Sequence, residues 1–234
     1  MEEKFFNYTP ITKKKKRSVG LIAVDVLFTI YVLIALCYLV FCAIFIKAQV
    51  IGTSMQPTFN INLSYSEDAE VSKYKDIVFA NRFNKGKNGE IVIAEINDLI
   101  IIKRLIATEG QTLTLKYESD GFYYFYLTEE EGSLPKKLNE SYIGKFRENM
   151  DYGYFLRFLD IEGVQEDGMI SGSSASITIP KGHVFLLGDN RQTSEDSTSF
   201  GTVKKEVILG TVQFYHYYNQ NFLSFVWQQL CSIF

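Results

Sequence analysis

The stretch IVIAEINDLIIIKRLIA, residues 91–107, predicts a β-hairpin. Ile91–Ile96 and Leu99–Ala107 are short runs rich in β-branched residues, and Asn97-Asp98 between them is typical of a tight turn. Long amphipathic helical patterns are missing from the chain around this hairpin. Further candidate strands are Ile77–Ala80, Thr112–Tyr117, Phe122–Thr128, Ser176–Ile179, His183–Leu187 and Glu206–Tyr218. The sequence therefore predicts a mostly-β fold.

An uncharged apolar segment precedes the strands. Val26–Ile46 spans 21 residues, which as a helix would reach ~31 Å, about the thickness of the hydrocarbon core of a bilayer. The basic run Lys13–Arg17 lies upstream, so the positive-inside rule predicts that residues 1–18 are a cytoplasmic basic tail. A cleaved signal peptide is the alternative, but its apolar core is normally only about 7–15 residues long. We therefore expect a single retained transmembrane anchor over residues 19–46, with the rest of the chain outside the cytoplasm.

Charge and composition exclude several functional classes. The formal net charge is -3, and residues 1–17 hold six Lys and Arg against two Glu, whereas the remainder holds 18 against 25. The acidic body argues against nucleic-acid binding, and a basic tail beside an anchor suits a membrane. The three cysteines and two histidines show no spacing typical of a metal site.

The part beyond the anchor divides by composition. Its middle is acidic, rich in Tyr and Phe, and interrupted by Gly and Ser, so we interpret it as a smaller β-rich domain inserted into a core. The last 13 residues are apolar but too short to span a bilayer comfortably, and are expected to pack on the domain or lie at the interface. The predicted boundaries are a catalytic core in residues 47–117 and 176–221, an inserted domain in residues 118–175 and a C-terminal segment in residues 222–234.

Two residues are candidates for nucleophilic catalysis. Ser54 lies in GTSMQPT, residues 52–58, where Gly52 allows close approach to a substrate and Pro57 restricts the turn. Lys103 ends an apolar run, where burial would lower its pKa and make the neutral amine available as a base. Each has an ordinary alternative: Ser54 could belong to a simple turn, and Lys103 could extend to solvent while Arg104 faces inward.

A third stretch, FLLGDNRQTSEDS at residues 185–197, is an apolar strand that runs into a dense polar loop. Loops rich in Gly, Asp, Asn and Ser commonly form turns. The combination of one Arg with several carboxylates instead suits an internally hydrogen-bonded structure that supports a site.

These three stretches resemble, in order and spacing, the conserved boxes of the type I signal peptidases, membrane-bound serine–lysine endopeptidases. The resemblance covers about residues 10–116 and 178–212, with a weaker match at Lys75-Asp76-Ile77-Val78, and it is closest to the Gram-positive type with one anchor. It implies a signal-peptidase-like β catalytic domain. The roles it implies are nucleophile for Ser54, general base for Lys103, a lysine-orienting hydroxyl for Ser194, and support of the site by Asp189, Arg191 and Asp196.

The resemblance also implies the substrate and the location. Exported preproteins would bind as an added strand, contacting Val50, Ile51, Gly52, Ile101 and Ile102. The lipid bilayer and the secretion translocon are further expected partners. The enzyme would be a single-pass protein of the cell membrane, with its catalytic domain extracytoplasmic. It would need neither a metal nor another cofactor.

Several residues depart from the family pattern. Thr198 stands where members usually have an Arg paired with the aspartate at Asp196, so that ion pair cannot form. Gly52 replaces a hydroxyl residue, which leaves the backbone N–H of Ser54 as the expected oxyanion donor. Residues 107–111 replace a common Gly-x-Pro-Gly-Asp stretch.

Three alternatives to a general signal peptidase stay open on the sequence. A self-cleaving repressor would share the Ser–Lys chemistry, but the anchor argues against it. A catalytically silent relative acting in pilus or secretion-system assembly would be expected to lack the Ser or the Lys. The sequence does not distinguish a processing peptidase dedicated to one such system from the general enzyme.

Overall fold

The computed structural model describes residues 18–60, 75–144, 150–167 and 172–217. The chain divides into two units, residues 1–43 and 44–234. The predicted cytoplasmic tail, except Ser18, and the predicted C-terminal segment lie outside the described residues.

The first unit consists, in its described part, of one long apolar helix. Helix α1 (Val19–Ile44) has 26 residues, and none of its side chains is buried within the protein. It is the one helix of the described residues that is long and apolar enough to cross a membrane, and it fits a single-pass anchor. The helix ends two residues before the predicted limit at residue 46, because Phe45 and Ile46 instead pair with a strand.

The second unit contains two antiparallel sheets. The first sheet has the strand order β1-β2-β12-β3-β4-β10-β11. Its strands are β1 (Phe45–Gln49), β2 (Ile77–Asn81), β3 (Ile91–Ile96), β4 (Leu99–Thr108), β10 (His183–Leu187), β11 (Val203–Lys204) and β12 (Ile208–His216).

The β3–β4 hairpin has the predicted form. Asn97 and Asp98 both have positive φ, 50° and 63°, which is the backbone of the two-residue turn that matches the twist of a hairpin. Strand β4 pairs with β3 from Leu99 to Arg104 and with β10 from Arg104 to Thr108. The opposite edge of Leu99–Lys103 has no partner strand among the described residues.

The second sheet has the order β7-β6-β5-β9-β8. Its strands are β5 (Thr112–Tyr117), β6 (Tyr123–Thr128), β7 (Lys136–Lys137), β8 (Gln165–Asp167) and β9 (Ser174–Thr178). Helix α2 (Tyr152–Leu159) is capped by Asp151 and buries its aromatic face on this sheet. Phe158 lies edge-on to Phe125 and to Phe185 of β10, so one hydrophobic core joins the two sheets.

The predicted mostly-β fold is confirmed, and the predicted strands match with small shifts at their ends. The last strand spans Ile208–His216 rather than Glu206–Tyr218, because residues 205–207 form a 3-10 turn and residue 218 lies outside the described residues. In the sequence, the second sheet begins at Thr112 and ends at Thr178. It therefore includes residues on both sides of the predicted insertion, residues 118–175. The proposed domain boundaries stay a prediction.

Candidate active site

The loop that contains Ser54 is fixed at both ends by buried polar residues. Asn60 and Asp76 form a reciprocal pair: the Asn60 N–H donates to the Asp76 carboxylate (2.7 Å), and the Asp76 N–H donates to the Asn60 side-chain oxygen (3.0 Å). The Asn60 amide also donates to the carbonyl groups of Val50 and Gly52. We call residues 50–60 the nucleophile loop. These bonds hold its two ends together and leave Ser54, which is half-buried, at its turn.

The polar loop, residues 188–196, follows β10 and bonds directly to the nucleophile loop. The Asn190 N–H donates to the carbonyl of Ser54 (3.0 Å), and the Asn190 side chain donates to the carbonyl of Thr53 (3.2 Å). The Ser194 N–H in turn donates to the carbonyl of Asn190 (3.1 Å). The backbone of the predicted nucleophile is therefore connected to that of Ser194 through one residue.

Gly188 is where the three stretches meet. A Cβ placed on Gly188 would overlap the Ser194 hydroxyl and lie 2.5 Å from the carbonyl oxygen of Ser54. Its neighbour Leu187 pairs with Arg104, the residue after Lys103. This position therefore requires glycine for reasons of space, and the crossing brings the segments of Ser54, Lys103 and Ser194 together.

Lys103 is buried, with 4% of its surface exposed, and Arg104 beside it is buried as well. The alternative in which Lys103 extends to solvent while Arg104 faces inward therefore does not hold. Strand β4 is covered on both faces: Ile102 packs in one hydrophobic cluster, Leu105 in a second and Ile106 in a third. Neighbouring residues can then point to opposite faces and both be buried.

Burial lowers the pKa of Lys103 below its ordinary value, while the carboxylates of Asp196, Glu195 and Asp189 oppose that shift. No ion pair is formed by Lys103 among the described residues, so desolvation dominates. The arrangement favours a neutral amine at lower pH than for an exposed lysine, as a general base requires.

Arg104 holds the first carboxylate of the polar loop. Its guanidinium makes a bidentate ion pair with Asp189, at 2.8 Å through Nε and 2.6 Å through Nη2. The Thr58 hydroxyl donates to the same carboxylate at 2.5 Å, and Arg104 also donates to the Gly89 carbonyl at 2.7 Å. Asp189 is completely buried, and it ties the nucleophile loop, β4 and the polar loop together.

Asp196 is held differently, by neutral donors. It accepts from the Gly188 N–H (2.9 Å), the Thr198 N–H (3.0 Å) and the Thr198 hydroxyl (2.8 Å). It also caps the short helix α3 (Ser197–Phe200). The threonine that prevents the expected ion pair thus supplies two hydrogen bonds to the same carboxylate.

The remaining predicted support residue, Arg191, is fully buried and pairs with Glu140 at 2.5 Å. Burial alone would lower the pKa of its guanidinium, but the Glu140 carboxylate raises it. Glu140 belongs to the region around the second sheet.

The predicted hydrogen bond from Ser194 to Lys103 is absent from the structure. The Ser194 hydroxyl is buried without a hydrogen-bond partner among the described residues. Nor does any hydrogen bond join Ser54 to Lys103 in the described part of the chain. Catalytic hydrogen bonds are commonly long in a substrate-free site and shorten only in the complex, so the roles of these residues stay predictions.

The predicted substrate-contacting residues differ in exposure. Val50 is buried, with its N–H bonded to the Asp76 carbonyl and its own carbonyl bonded to Asn60, so it is not an open edge. Ile51 is 71% exposed, Gly52 is half-buried with positive φ, and Ile101 and Ile102 lie on the unpaired edge of β4. In the ranges that the structure describes, no cluster of His, Cys, Asp or Glu could hold a metal ion.

Sequence reasoning missed several residues that organise this site. Thr58 is the last residue of the stretch GTSMQPT and Asn60 follows two residues later, where polar residues are common in any turn. Glu140 and Tyr142 come from the middle of the chain, and nothing in their local pattern indicates that they reach the polar loop. Glu140 and Arg191 are 51 residues apart in the sequence, so their contact is evident only in the folded chain.

Comparison with known proteins identifies the class. The family model described as "Signal peptidase, peptidase S26" matches residues 23–217. The chain is 28% identical over 188 residues to a signal peptidase I of Bacillus licheniformis, covering 79% of this chain and 83% of the relative. It is 30% identical over 171 residues to signal peptidase I V of Bacillus subtilis, covering 73% and 84%.

A signal peptidase I from Streptococcus pneumoniae is 30% identical over 181 residues, covering 72% of this chain and 80% of the relative. A solved structure of a signal peptidase I from Enterococcus faecalis aligns with a TM-score of 0.36 and 25% identity, over 56% of this chain and 98% of that one. The protein is a hydrolase, a serine endopeptidase. Within that class, the chain belongs to the signal peptidase family S26.

Proposed function

We propose that this protein cleaves signal peptides from exported preproteins with Ser54 as nucleophile and Lys103 as general base. The observation that carries the proposal is the burial of Lys103, without an ion-pair partner in the described residues, at the crossing where the Ser54 loop contacts Gly188. The membership of family S26 supports it.

The reaction would proceed in two halves. Neutral Lys103 takes the proton of the Ser54 hydroxyl as its oxygen attacks the scissile carbonyl carbon. The tetrahedral intermediate then expels the amine of the mature protein, which leaves with the proton from Lys103, and an acyl-enzyme remains. Lys103 next takes a proton from water, which attacks the acyl carbonyl, and the Ser54 oxygen leaves with that proton.

The developing oxyanion needs hydrogen-bond donors close to Ser54. The backbone N–H of Ser54 is the proposed donor, since Gly52 offers no side-chain hydroxyl. The hydrogen bonds from Asn190 to the carbonyl groups of Thr53 and Ser54 fix the backbone on either side of this N–H.

The substrate is proposed to bind as an added strand along the unpaired edge of Leu99–Lys103 in β4. Backbone hydrogen bonds would give affinity there, and alternate side chains would enter shallow apolar pockets. Exposed Ile51 and half-buried Gly52 of the nucleophile loop suit the opposite side of that strand better than Val50, whose backbone groups are already bonded.

The apolar helix α1 is proposed to hold the enzyme in the cell membrane, with its N-terminus cytoplasmic and the second unit outside. Ser54 follows Ile46 by eight residues. Enzyme and preprotein would then share one interface, which raises the effective concentration without any additional contact. The secretion translocon is proposed as a neighbouring partner.

A cleavage assay tests the dyad. The full chain in lipid is incubated with a preprotein beside Ser54→Ala and Lys103→Ala, with the exposed pair Ser119→Ala and Lys136→Ala as matched controls. We expect both site variants to lose cleavage and both controls to retain it. Undiminished cleavage by either site variant would contradict the proposed dyad.

The same assay, run with a panel of preproteins, separates substrate ranges. A general signal peptidase cleaves many of them, whereas a peptidase dedicated to pilus or secretion-system assembly cleaves only one or two. Failure of the wild type to cleave any of them would favour the silent relative.

A further inference from the structure

A segment beside the second sheet lies against the polar loop. Residues 140–144, which we call the clamp segment, follow β7 and include a 3-10 turn over residues 141–144. Ile143 packs in the same hydrophobic cluster as Phe185 and Leu187 of β10. A Cβ on Gly144 would lie 3.8 Å from Pro57 in the nucleophile loop. The clamp segment therefore touches two elements that build the proposed active site.

Its first polar contact is a buried ion pair. The Glu140 carboxylate accepts from Arg191 at 2.5 Å, and the side-chain exposures are 1% and 0%. The Tyr142 hydroxyl also donates to Glu140 (3.2 Å). The guanidinium of Arg191 donates through Nε to the carbonyl of Gly188 (3.1 Å). Glu140 is thus connected by a single side chain to Gly188, the residue where the segments of Ser54, Lys103 and Ser194 meet.

Its second polar contact is made by an aromatic ring. The Tyr142 ring lies 3.8 Å from the guanidinium carbon of Arg104, a close cation–π contact. Arg104 is the bidentate partner of Asp189 and the neighbour of Lys103. The same guanidinium thus contacts the ring of Tyr142 and both carboxylate oxygens of Asp189.

The first contact reaches Gly188 through Arg191, and the second reaches the next residue, Asp189, through Arg104. A buried ion pair is weak evidence for stability, because apolar packing of equal volume is often as good. An ion pair, or a guanidinium packed on an aromatic ring, fixes the orientation of the side chains that it joins. Apolar contacts constrain that orientation far less. Orientation at Gly188 matters, since the Ser54 carbonyl and the Ser194 hydroxyl crowd that residue.

We propose that Glu140 and Tyr142 are positioning residues, which hold Gly188 and Asp189 in the arrangement that peptide hydrolysis requires. This inference rests on the proposed function of Ser54 and Lys103. The region of the second sheet would then act directly on catalysis, through the polar loop, in addition to completing the hydrophobic core.

The decisive variants are Tyr142→Leu and Tyr142→Phe, which leave the Glu140–Arg191 ion pair in place. Tyr142→Leu removes the ring from Arg104, and we expect kcat to fall about 10- to 100-fold, as for a small misplacement of catalytic groups. KM should stay within about twofold, because the substrate-binding edge of β4 is untouched. Tyr142→Phe keeps the ring and should retain most of the activity.

The pH–rate profile separates positioning from stability. Lys103 faces Asp189, Glu195 and Asp196 of the polar loop and has Arg104 beside it on β4. The nucleophile loop contributes no charged side chain. Without the ring, water reaches Arg104 and weakens its ion pair with Asp189, so the Asp189 carboxylate acts more strongly on Lys103 and the pKa of Lys103 should rise towards its ordinary value. The acid limb of kcat should therefore move to higher pH in Tyr142→Leu and stay in place in Tyr142→Phe.

Amide hydrogen exchange tests the contact without relying on activity. The Asn190 and Ser194 amides, which bond to Ser54 and Asn190, should exchange faster in Tyr142→Leu, while the amides of β3 stay as in the wild type. If the wild type cleaves no preprotein but the Asn190 and Ser194 amides still exchange faster in Tyr142→Leu, the proposed function fails. The effect of Tyr142 on the structure of the polar loop is then upheld. Exchange that rises equally throughout the chain, or an unchanged kcat and pH profile, would overturn the proposal.

Glu140→Gln tests the ion pair, with Glu129→Gln at an exposed ion pair as the matched control. We expect kcat to fall at least as far as in Tyr142→Leu, with the control unchanged. If Glu140→Gln does not fold, the Tyr142 pair decides the proposal. Wild-type kinetics in a folded Glu140→Gln would count against it.

Discussion

The polar loop contains a buried aspartate near each of its ends, Asp189 and Asp196, and the two are held in opposite ways. Asp189 forms a bidentate ion pair with Arg104. Within the part of the chain that the structure describes, Asp196 instead accepts from neutral groups alone, the Gly188 N–H and the N–H and hydroxyl of Thr198. Both are completely buried. The comparison shows that a carboxylate buried at this site can be stabilised by hydrogen-bond donors without a positively charged partner. Thr198 can therefore stabilise this carboxylate at the position where the family resemblance predicts an arginine.

The difference also affects the lysine between them. Asp189 is neutralised by its partner, while the charge of Asp196 is not, and Asp196 is the carboxylate that most strongly opposes the lowering of the Lys103 pKa. The hydrogen-bonded aspartate therefore has a larger electrostatic influence on the proposed base than the ion-paired one.

The largest effect is expected from Asp189→Asn. It leaves the Arg104 guanidinium buried without its counter-charge, which should destabilise the fold by about 3–5 kcal/mol. Urea unfolding measures this loss, and cleavage at low temperature should fall as well. A loss below about 1 kcal/mol would show that the ion pair does not fix the start of the loop.

A smaller effect is expected from Asp196→Asn. At least one of the three hydrogen bonds is lost, because the amide nitrogen cannot accept, and the free energy of unfolding should fall by about 1–3 kcal/mol. Asp196 raises the pKa of Lys103, so its removal should lower that pKa further. The neutral amine then persists to lower pH, and the acid limb of kcat should move to lower pH. A shift to higher pH would contradict this account.

The smallest effect is expected from Thr198→Val, which removes one hydroxyl from a carboxylate that keeps two other donors. The expected loss is about 1 kcal/mol, measured by thermal or urea unfolding. Thr198→Ser retains the hydroxyl and should remain close to the wild type. No loss in Thr198→Val, or a larger loss in Thr198→Ser than in Thr198→Val, would show that the hydroxyl contributes little.

The sequence predicts the framework of the fold well because its strongest signals are local. The β3–β4 hairpin follows from two β-branched runs around Asn97-Asp98, and both turn residues adopt the expected positive φ. It could not show that Lys103 and Arg104 are both buried. That outcome depends on clusters from three parts of the chain covering both faces of β4.

The candidate site was predictable through the family resemblance, which picks out Ser54, Lys103 and the polar loop together. Its supporting contacts were not predictable, since Glu140 and Tyr142 lie in an acidic, aromatic region without a periodic pattern. Their partners are fixed by tertiary packing, and single-sequence reasoning contains no information on which carboxylate will meet Arg191.

The edge of β4 that has no partner strand among the described residues limits the length of peptide that could pair there. From Leu99 at the exposed hairpin tip to Lys103 is five residues, and the four steps between them span ~13 Å of extended strand. A substrate bound there as proposed would lie against about five residues, with alternate side chains facing the protein. Lengthening each strand of the hairpin by two residues at its tip should extend this edge by one further contacting side chain, without moving Lys103.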